Sequence, residues 1–321
     1  MTYALPVLQR LRPSGSIWAA LRLHRLALWV WTAAVLVSVA LLLWLYGPGA
    51  DAATSHLGAC RTAGCEPVGG AYGRYELLTQ LTGAVILCAP YIAAVFMGGS
   101  CVGRELERGT AQLAWTQSRT PTRWLATTLA VPAAWFLIGL VPLVALHHLV
   151  WASGPLPHAY PWYDPDIFAG GGAVPFARVL LGLAAGALGG LLCRKALPGA
   201  LLGALAPLVA DMLGRRYRPS LWPTVTDTGL SALRPPAGAQ VLIHGAVPRS
   251  TGERIANNNA CVGADSPVDL HRCTEKFQDF WVTYHPKSHY WPLQLAESAT
   301  VITMAALLTA VAFRLLRRRT A

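Results

Sequence analysis

Side chains that could bind a metal ion or act in catalysis gather in one stretch of the sequence. His147 and His148 are adjacent, and His158, Asp164 and Asp166 follow. Imidazole and carboxylate groups bind Zn²⁺ and also serve as general acids and bases. Adjacent residues on a helix point about 100° apart, so His147 and His148 do not suit one shared ion. We predict no metal site, and a membrane-embedded enzyme using His147, His148, Asp164 and Asp166 stays as an alternative.

Three ionisable residues lie in or beside long apolar segments: Arg178, Asp211 and Glu297. A charge inside a bilayer is costly and normally faces the protein interior or water. We expect Arg178 either to extend to the interface or to have a structural or gating role. Asp211 is expected to pair with Arg215 or Arg216. Glu297 is interpreted first as a hydrated interfacial carboxylate, the alternative being a gating or structural role.

Four of the seven cysteines fall into two local pairs, Cys60–Cys65 and Cys261–Cys273. An oxidising compartment would permit a disulfide in each pair. Free thiols or a pairing between the two loops are the alternatives. Neither pair has the tight spacing that is typical of zinc knuckles.

The composition excludes an ordinary soluble enzyme. The chain has 321 residues, of which 54% are hydrophobic and 13% are charged, against about 25% charged in a typical soluble domain. The high apolar content also excludes a disordered chain. An integral membrane protein remains.

Six segments are long and apolar enough to cross a bilayer, which takes about 20 residues. We therefore predict an all-α membrane protein with six transmembrane helices. The segments are 26–46, 77–97, 125–151, 174–193, 197–213 and 295–316.

Basic residues predict the orientation, because they concentrate in cytoplasmic loops. With both termini inside, segments 1–25, 98–124, 194–196 and 314–321 carry 14 basic residues and two acids, out of 26 and 15 in the chain. Both termini are therefore predicted to be cytoplasmic.

Four regions follow from this topology. They are an N-terminal interfacial helix (1–25), five transmembrane helices with a cytoplasmic loop at 98–124 (26–213), a large extracytoplasmic loop or subdomain (214–294), and a sixth helix with a basic tail (295–321).

The predicted inside loop at 98–124 contains two short helices. Val102–Arg108 reads as an amphipathic helix that Gly109 ends. A second helix restarts at Thr110–Trp115, with Leu113 and Trp115 expected on one side. Ser118, Thr120 and Pro121 have the residue types that begin a helix, here the third span.

This loop resembles a known family. The run from Glu105 to Trp124, ELERGT followed by LAWTQS and Arg-Trp, resembles the loop of bacterial ABC transporter permeases of the type-2 exporter class. LRLHRLAL (Leu21–Leu28) and WPLQLAES (Trp291–Ser298) resemble that family's entries to the first and sixth spans.

The resemblance implies an exporter subunit in a bacterial plasma membrane, whose loop docks on a separate ABC-type ATPase. The implied docking residues are Glu105, Glu107, Gly109 and Thr110. A second permease subunit, identical or related, would complete the pathway through the lipid bilayer. Arg119-Thr-Pro-Thr-Arg123 departs from the family pattern, which leaves the docking surface open.

No cofactor is expected in this chain. It has no GxxxxGK[ST] phosphate loop, so ATP and Mg²⁺ would bind the partner. No nucleic-acid partner is predicted, and apolar spans do not identify the substrate. A partnerless membrane sensor or immunity protein is the other alternative function.

Overall fold

The computed structural model describes residues 25–63, 69–117, 120–154, 160–256, 271 and 275–320. It is mostly helical, and its six longest helical runs are apolar enough to cross a membrane, which confirms the six predicted spans. We number them spans 1 to 6: Arg25–Thr62, Gly70–Glu107, Pro121–Ser153, Val174–Cys193, Ala196–Ser220 and Lys287–Thr320. The predicted interfacial helix lies outside the described residues, except for its last position.

Spans 1 and 2 each contain a π-helical segment, Leu45–Gly49 and Phe96–Gly103. The α-helices are α1 Arg25–Trp44, α2 Ala50–Ala63, α3 Gly70–Val95, α4 Arg104–Glu107, α5 Thr110–Gln117, α6 Pro121–Ser153, α7 Pro165–Gly170, α8 Val174–Cys193, α9 Ala196–Tyr217 and α10 Tyr290–Thr320. Short 3₁₀ turns at Arg218–Ser220 and Lys287–His289 extend spans 5 and 6.

The chain divides into two compact units as far as it is described. The first takes residues 1–157, 169–212 and 298–321, and the second takes residues 158–168 and 213–297. Span 4 is the most enclosed helix. In its apolar stretch 72% of the residues are buried, against 22–50% in the other spans. Large apolar side chains of the outer spans are exposed, including Trp29, Ile138 and Leu197. Such faces are expected of helices that contact lipid.

Spans 2, 4 and 5 pack backbone to backbone through glycine. A Cβ atom on Gly98 would lie 2.5 Å from the carbonyl oxygen of Gly199 and 3.0 Å from that of Gly186. Only glycine fits at this position without displacing a helix, as at other close helix crossings in membranes. The π-helical segment of span 2 is thereby held against the α8–α9 hairpin.

Two apolar cavities lie beside these three spans. One of 440 Å³ is lined by spans 3, 4 and 6, with Leu183 and Phe313 among its residues. The other has 470 Å³ and is lined by spans 1, 2 and 3, with Trp31 and Trp135. Both cavities are partly open at the protein surface, where the lining residue Trp135 is exposed.

The second unit contains a four-stranded antiparallel sheet, so the all-α prediction is wrong for this part of the chain. Strands β1 Val225–Thr228, β2 Gln240–Pro248, β3 Ile255–Ala256 and β4 Phe277–His285 pair in the order β1-β4-β2-β3. Along β4, buried and less buried residues alternate, which is the period that buries one face of a strand. Its buried side chains pack with Ala232 and Ala246 in a small core: Phe280, Val282 and Tyr284.

Candidate functional site

The last turn of span 2, α4, and the short helix that follows it, α5, form a helical hairpin, which we call the 104–117 hairpin. Gly109 separates the two helices with a φ of 72°, a conformation that glycine adopts without strain. At the end of the first helix, the N–H of Arg108 donates to the carbonyl of Arg104. The N–H of Gly109 donates to the carbonyl of Leu106. The predicted break at Gly109 is confirmed.

Leu113 and Trp115 do not share a side of α5, contrary to the prediction. Leu113 is 61% exposed, whereas Trp115 is half-buried and meets the ring of Trp124 edge-on at 5.7 Å. Residues two apart on a helix face away from each other, and that geometry rules out the predicted common face. As predicted, Thr120 caps α6, accepting from the N–H of Arg123, and Pro121 follows it. Ser118 lies outside the described residues.

Glu105 connects the 104–117 hairpin to the first turn of span 3. The indole Nε1–H of Trp124 donates to Oε2 of Glu105 over 2.9 Å. The hydroxyl of Thr110 donates to the backbone carbonyl of Glu105 over 3.1 Å. Three of the predicted site residues, Glu105, Gly109 and Thr110, therefore shape the hairpin itself.

Glu107 connects the same hairpin to span 5. Its Oε2 accepts a hydrogen bond from the backbone N–H of Ala196 over 2.9 Å. Ala196 is the first residue of α9, so the carboxylate caps a helix N-terminus, where negative charge is stabilising. The indole of Trp124 and the start of span 5 were missing from the sequence-based site. Contacts so distant in sequence leave no local signal.

Arg178 does not extend away as a lone charge but pairs with Asp211. Its Nη1 lies 2.6 Å from Oδ1 of Asp211, and the two side chains are 5% and 18% exposed. The pair joins spans 4 and 5 within the first unit. Arg215, one of the two partners expected for Asp211, lies 2.8 Å from Asp166.

Glu297 is buried and not a hydrated interfacial carboxylate. Nε of Arg218 donates to its Oε2 over 2.9 Å, and the two side chains are 6% and 4% exposed. The guanidinium of Arg218 also lies over the ring of Phe168 at 3.9 Å. The attraction between the two charges offsets the cost of desolvating them.

The histidines and aspartates that the enzyme alternative would use make packing and helix-capping contacts. His147 is buried, with Nε2 3.0 Å from where a Cβ of Gly83 would lie, and His148 packs on Trp151. Asp164 accepts from the N–H groups that open α7. Within the described residues, no three His, Cys, Asp or Glu side chains come together as metal ligands.

The described residues include only some of the cysteines in the predicted pairs. Cys60 is disulfide-bonded, but Cys65, Cys261 and Cys273 lie outside the described residues, so both pairings stay predictions. Cys88, Cys101 and Cys193 are free. Cys101 is fully buried in the π-helical segment of span 2.

Comparison with known proteins identifies the family. A family model described as "ABC-2 membrane transporter related" matches residues 32–216, more than half of the 321 residues. The match begins in span 1, ends in span 5 and includes the 104–117 hairpin. No curated protein and no solved structure matches the chain at a significant level. The resemblance drawn from the loop is confirmed: the chain belongs to the ABC-2 membrane transporter related family and is a multi-pass transporter permease.

Proposed function

We propose that the chain is the membrane subunit of an ATP-driven exporter and that the 104–117 hairpin receives motion from a separate ATPase subunit. Family membership implies an ATPase partner in general. The finer assignment depends on one observation, namely that the two acids of the hairpin bind two different spans. Glu105 holds the start of span 3, and Glu107 holds the start of span 5.

Hydrogen bonds of this kind can pass a displacement of the hairpin directly to both spans. A switch needs contacts that differ between two states. Here the contacts that would change first are those at the starts of spans 3 and 5. Glu105 and Glu107 then act as positioning residues. ATP and Mg²⁺ bind the partner, and no covalent step takes place in this chain.

The proposed orientation places the hairpin and both termini in the cytoplasm. It is supported by the excess of basic residues on that side, 14 against two acids. The β-sheet of the second unit then belongs to the extracytoplasmic loop. A second permease subunit, identical or related, completes the pathway.

Replacing α5, Thr110–Gln117, by a Gly-Ser segment of equal length tests the proposal. We expect the variant to lose co-purification with its ATP-binding-cassette subunit and to lose stimulated ATP hydrolysis. The control replaces the exposed turn Ser250–Glu253 in the second unit by Gly and Ser, and it should keep both. If the α5 replacement keeps full association and stimulated hydrolysis, the hairpin is not the coupling element.

A further inference from the structure

Basic side chains around the 104–117 hairpin are exposed, and within the described residues none of them has an ion-pair partner. They come from the hairpin, the first turn of span 3 and the connection between spans 4 and 5. We call them the basic face: Arg104, Arg108, Arg123, Arg194 and Lys195. The bonds from Glu105 to Trp124 and from Glu107 to Ala196 bring these three segments together.

The acids of the hairpin do not neutralise this face. Glu105 is half-buried and bound to the indole of Trp124, and Glu107 is exposed but bound to the N–H of Ala196. Arg104 and Arg108 line a cavity of 610 Å³ together with Glu105. Five basic groups against two carboxylates, which keep their negative charge when they accept from neutral N–H groups, leave these segments with a net formal charge of +3.

One large apolar side chain of α5 stands out on the same hairpin. Leu113 is 61% exposed, and its described neighbours Gln112 and Thr116 are exposed and polar. An apolar side chain with a polar surround fits the apolar core and polar rim of a protein–protein interface. A helix that lies in lipid would present a broad apolar stripe instead.

Resting on the proposed function, we propose that the ATPase subunit docks on the basic face through an acidic surface, with Leu113 in an apolar pocket of that subunit. The partner is thus defined by its chemistry: carboxylates arranged around a small apolar depression. Glu105 and Glu107, which the family resemblance implied as docking residues, bind Trp124 and Ala196 of the same chain. Charge complementarity of this kind speeds association and selects the partner.

Binding of the purified ATP-binding-cassette subunit to the full chain in lipid nanodiscs tests the proposal. The double variant Arg104→Glu/Arg108→Glu should bind about tenfold or more weakly at low salt. Its affinity should also depend less on salt than that of the wild type, because screening acts on paired charges. The neutral variant Arg104→Gln/Arg108→Gln should fall between the two. The matched control is Arg74→Glu, at the other end of span 2, and it should bind as the wild type does. Arg74 is exposed and has no ion-pair partner among the described residues.

Leu113 gives an independent measurement that does not depend on charge. Leu113→Ala should weaken binding by about tenfold. Leu230→Ala removes an equally exposed leucine, also 61% exposed, from the second unit and should have no effect. If both the arginine and the leucine variants bind with wild-type affinity, the proposed surface is wrong.

Nanodiscs of two compositions separate the ATPase from anionic lipid as the occupant. If the charge-reversed chain binds the ATPase normally but loses only the thermal stabilisation that phosphatidylglycerol gives the wild type, the basic face serves lipid and the proposal is overturned. Failure of the wild-type chain itself to bind the ATPase would instead overturn the proposed function. The two outcomes are therefore distinguishable.

Discussion

Arg218 and Glu297 form an ion pair that is almost completely withdrawn from solvent. Arg218 lies in the 3₁₀ turn that ends span 5, Glu297 lies in the second turn of α10, and the two groups approach to 2.9 Å. The ring of Phe168 covers the guanidinium. Within the second unit, this pair ties the chain entering the sheet to the chain leaving it.

Removing one charge of this pair should destabilise the protein strongly. Loss of one partner from a buried pair costs about 3–5 kcal/mol, because the other charge stays buried alone. We expect Glu297→Ala to lower the midpoint of thermal unfolding, followed by tryptophan fluorescence in detergent. Glu253→Ala, at an exposed carboxylate, should leave the midpoint unchanged. Equal midpoints for the two variants would contradict the burial of the pair.

Gly98 should not tolerate even one methyl group. Its Cβ would collide with backbone atoms of Gly199, and overpacking of this kind costs about 1–3 kcal/mol. We expect Gly98→Ala to unfold at lower temperature and to give less monodisperse protein in size-exclusion chromatography.

The matched control for Gly98 is Gly58→Ala. Gly58 is exposed in α2, and nothing lies within 4 Å of its Cβ position. Alanine in an exposed helix favours the helix by about 0.5–1 kcal/mol over glycine, so this variant should be as stable as the wild type or more so. A Gly98→Ala variant of wild-type stability would show that the three spans are not in direct backbone contact.

Thiol labelling in intact cells should determine the orientation. Cys101 is fully buried and is a poor reporter, so the label belongs on an exposed position of the 104–117 hairpin. In a background with Cys88, Cys101 and Cys193 replaced by alanine, a Gln112→Cys variant should react with an impermeant maleimide only after permeabilisation. A Glu253→Cys variant should react in intact cells, and the background itself provides the blank. The opposite pattern would invert the proposed topology.

The sheet should lose stability in alkali through Tyr284. Its hydroxyl donates to Oδ2 of Asp227 over 2.8 Å; this hydrogen bond, followed by burial and the carboxylate charge, raises the pKa of Tyr284. The folded state therefore holds this proton more tightly than the unfolded state. The resulting stabilisation is complete below the ordinary tyrosine pKa of about 10 and disappears as pH rises through the raised value.

Comparing wild type with Tyr284→Phe measures that contribution. The variant should be less stable by about 0.5–1.5 kcal/mol at neutral pH, and the gap should narrow above pH of about 10. Tyr46→Phe, at an exposed tyrosine, should follow the wild type at every pH. A gap that stays constant into alkali would mean that Tyr284 does not lose its proton there.

The sequence predicted what depends on local pattern. Long apolar runs located the six spans, and Gly109, Thr120 and Pro121 located helix ends, because these signals act within a few residues. The sheet escaped prediction because its pairings join distant parts of the chain: β1 pairs with β4 across the whole loop. Strand pairing at such a distance is not encoded in any one segment.

The sequence indicated which segment carries the candidate site but not which contacts its residues make. The sequence indicated the loop and its two acids, yet it could not show that Glu105 and Glu107 bind other parts of the chain. Arg178 was treated as a lone charge because Asp211 lies on the next helix, and proximity of the two requires spans 4 and 5 to be packed. The sequence shows which residues are charged, whereas their ion-pair partners depend on tertiary structure.

The glycine contact at Gly98 also determines which parts of the protein are free to move. Where helices touch through their backbones, there is no side-chain layer that can rotate to accommodate a shift, and close-packed regions resist deformation. Spans 2, 4 and 5 should therefore travel as one rigid body when the 104–117 hairpin is displaced. The relative motion that opens a passage would then fall at the margins of that body, against spans 1, 3 and 6, which line the 440 Å³ and 470 Å³ cavities.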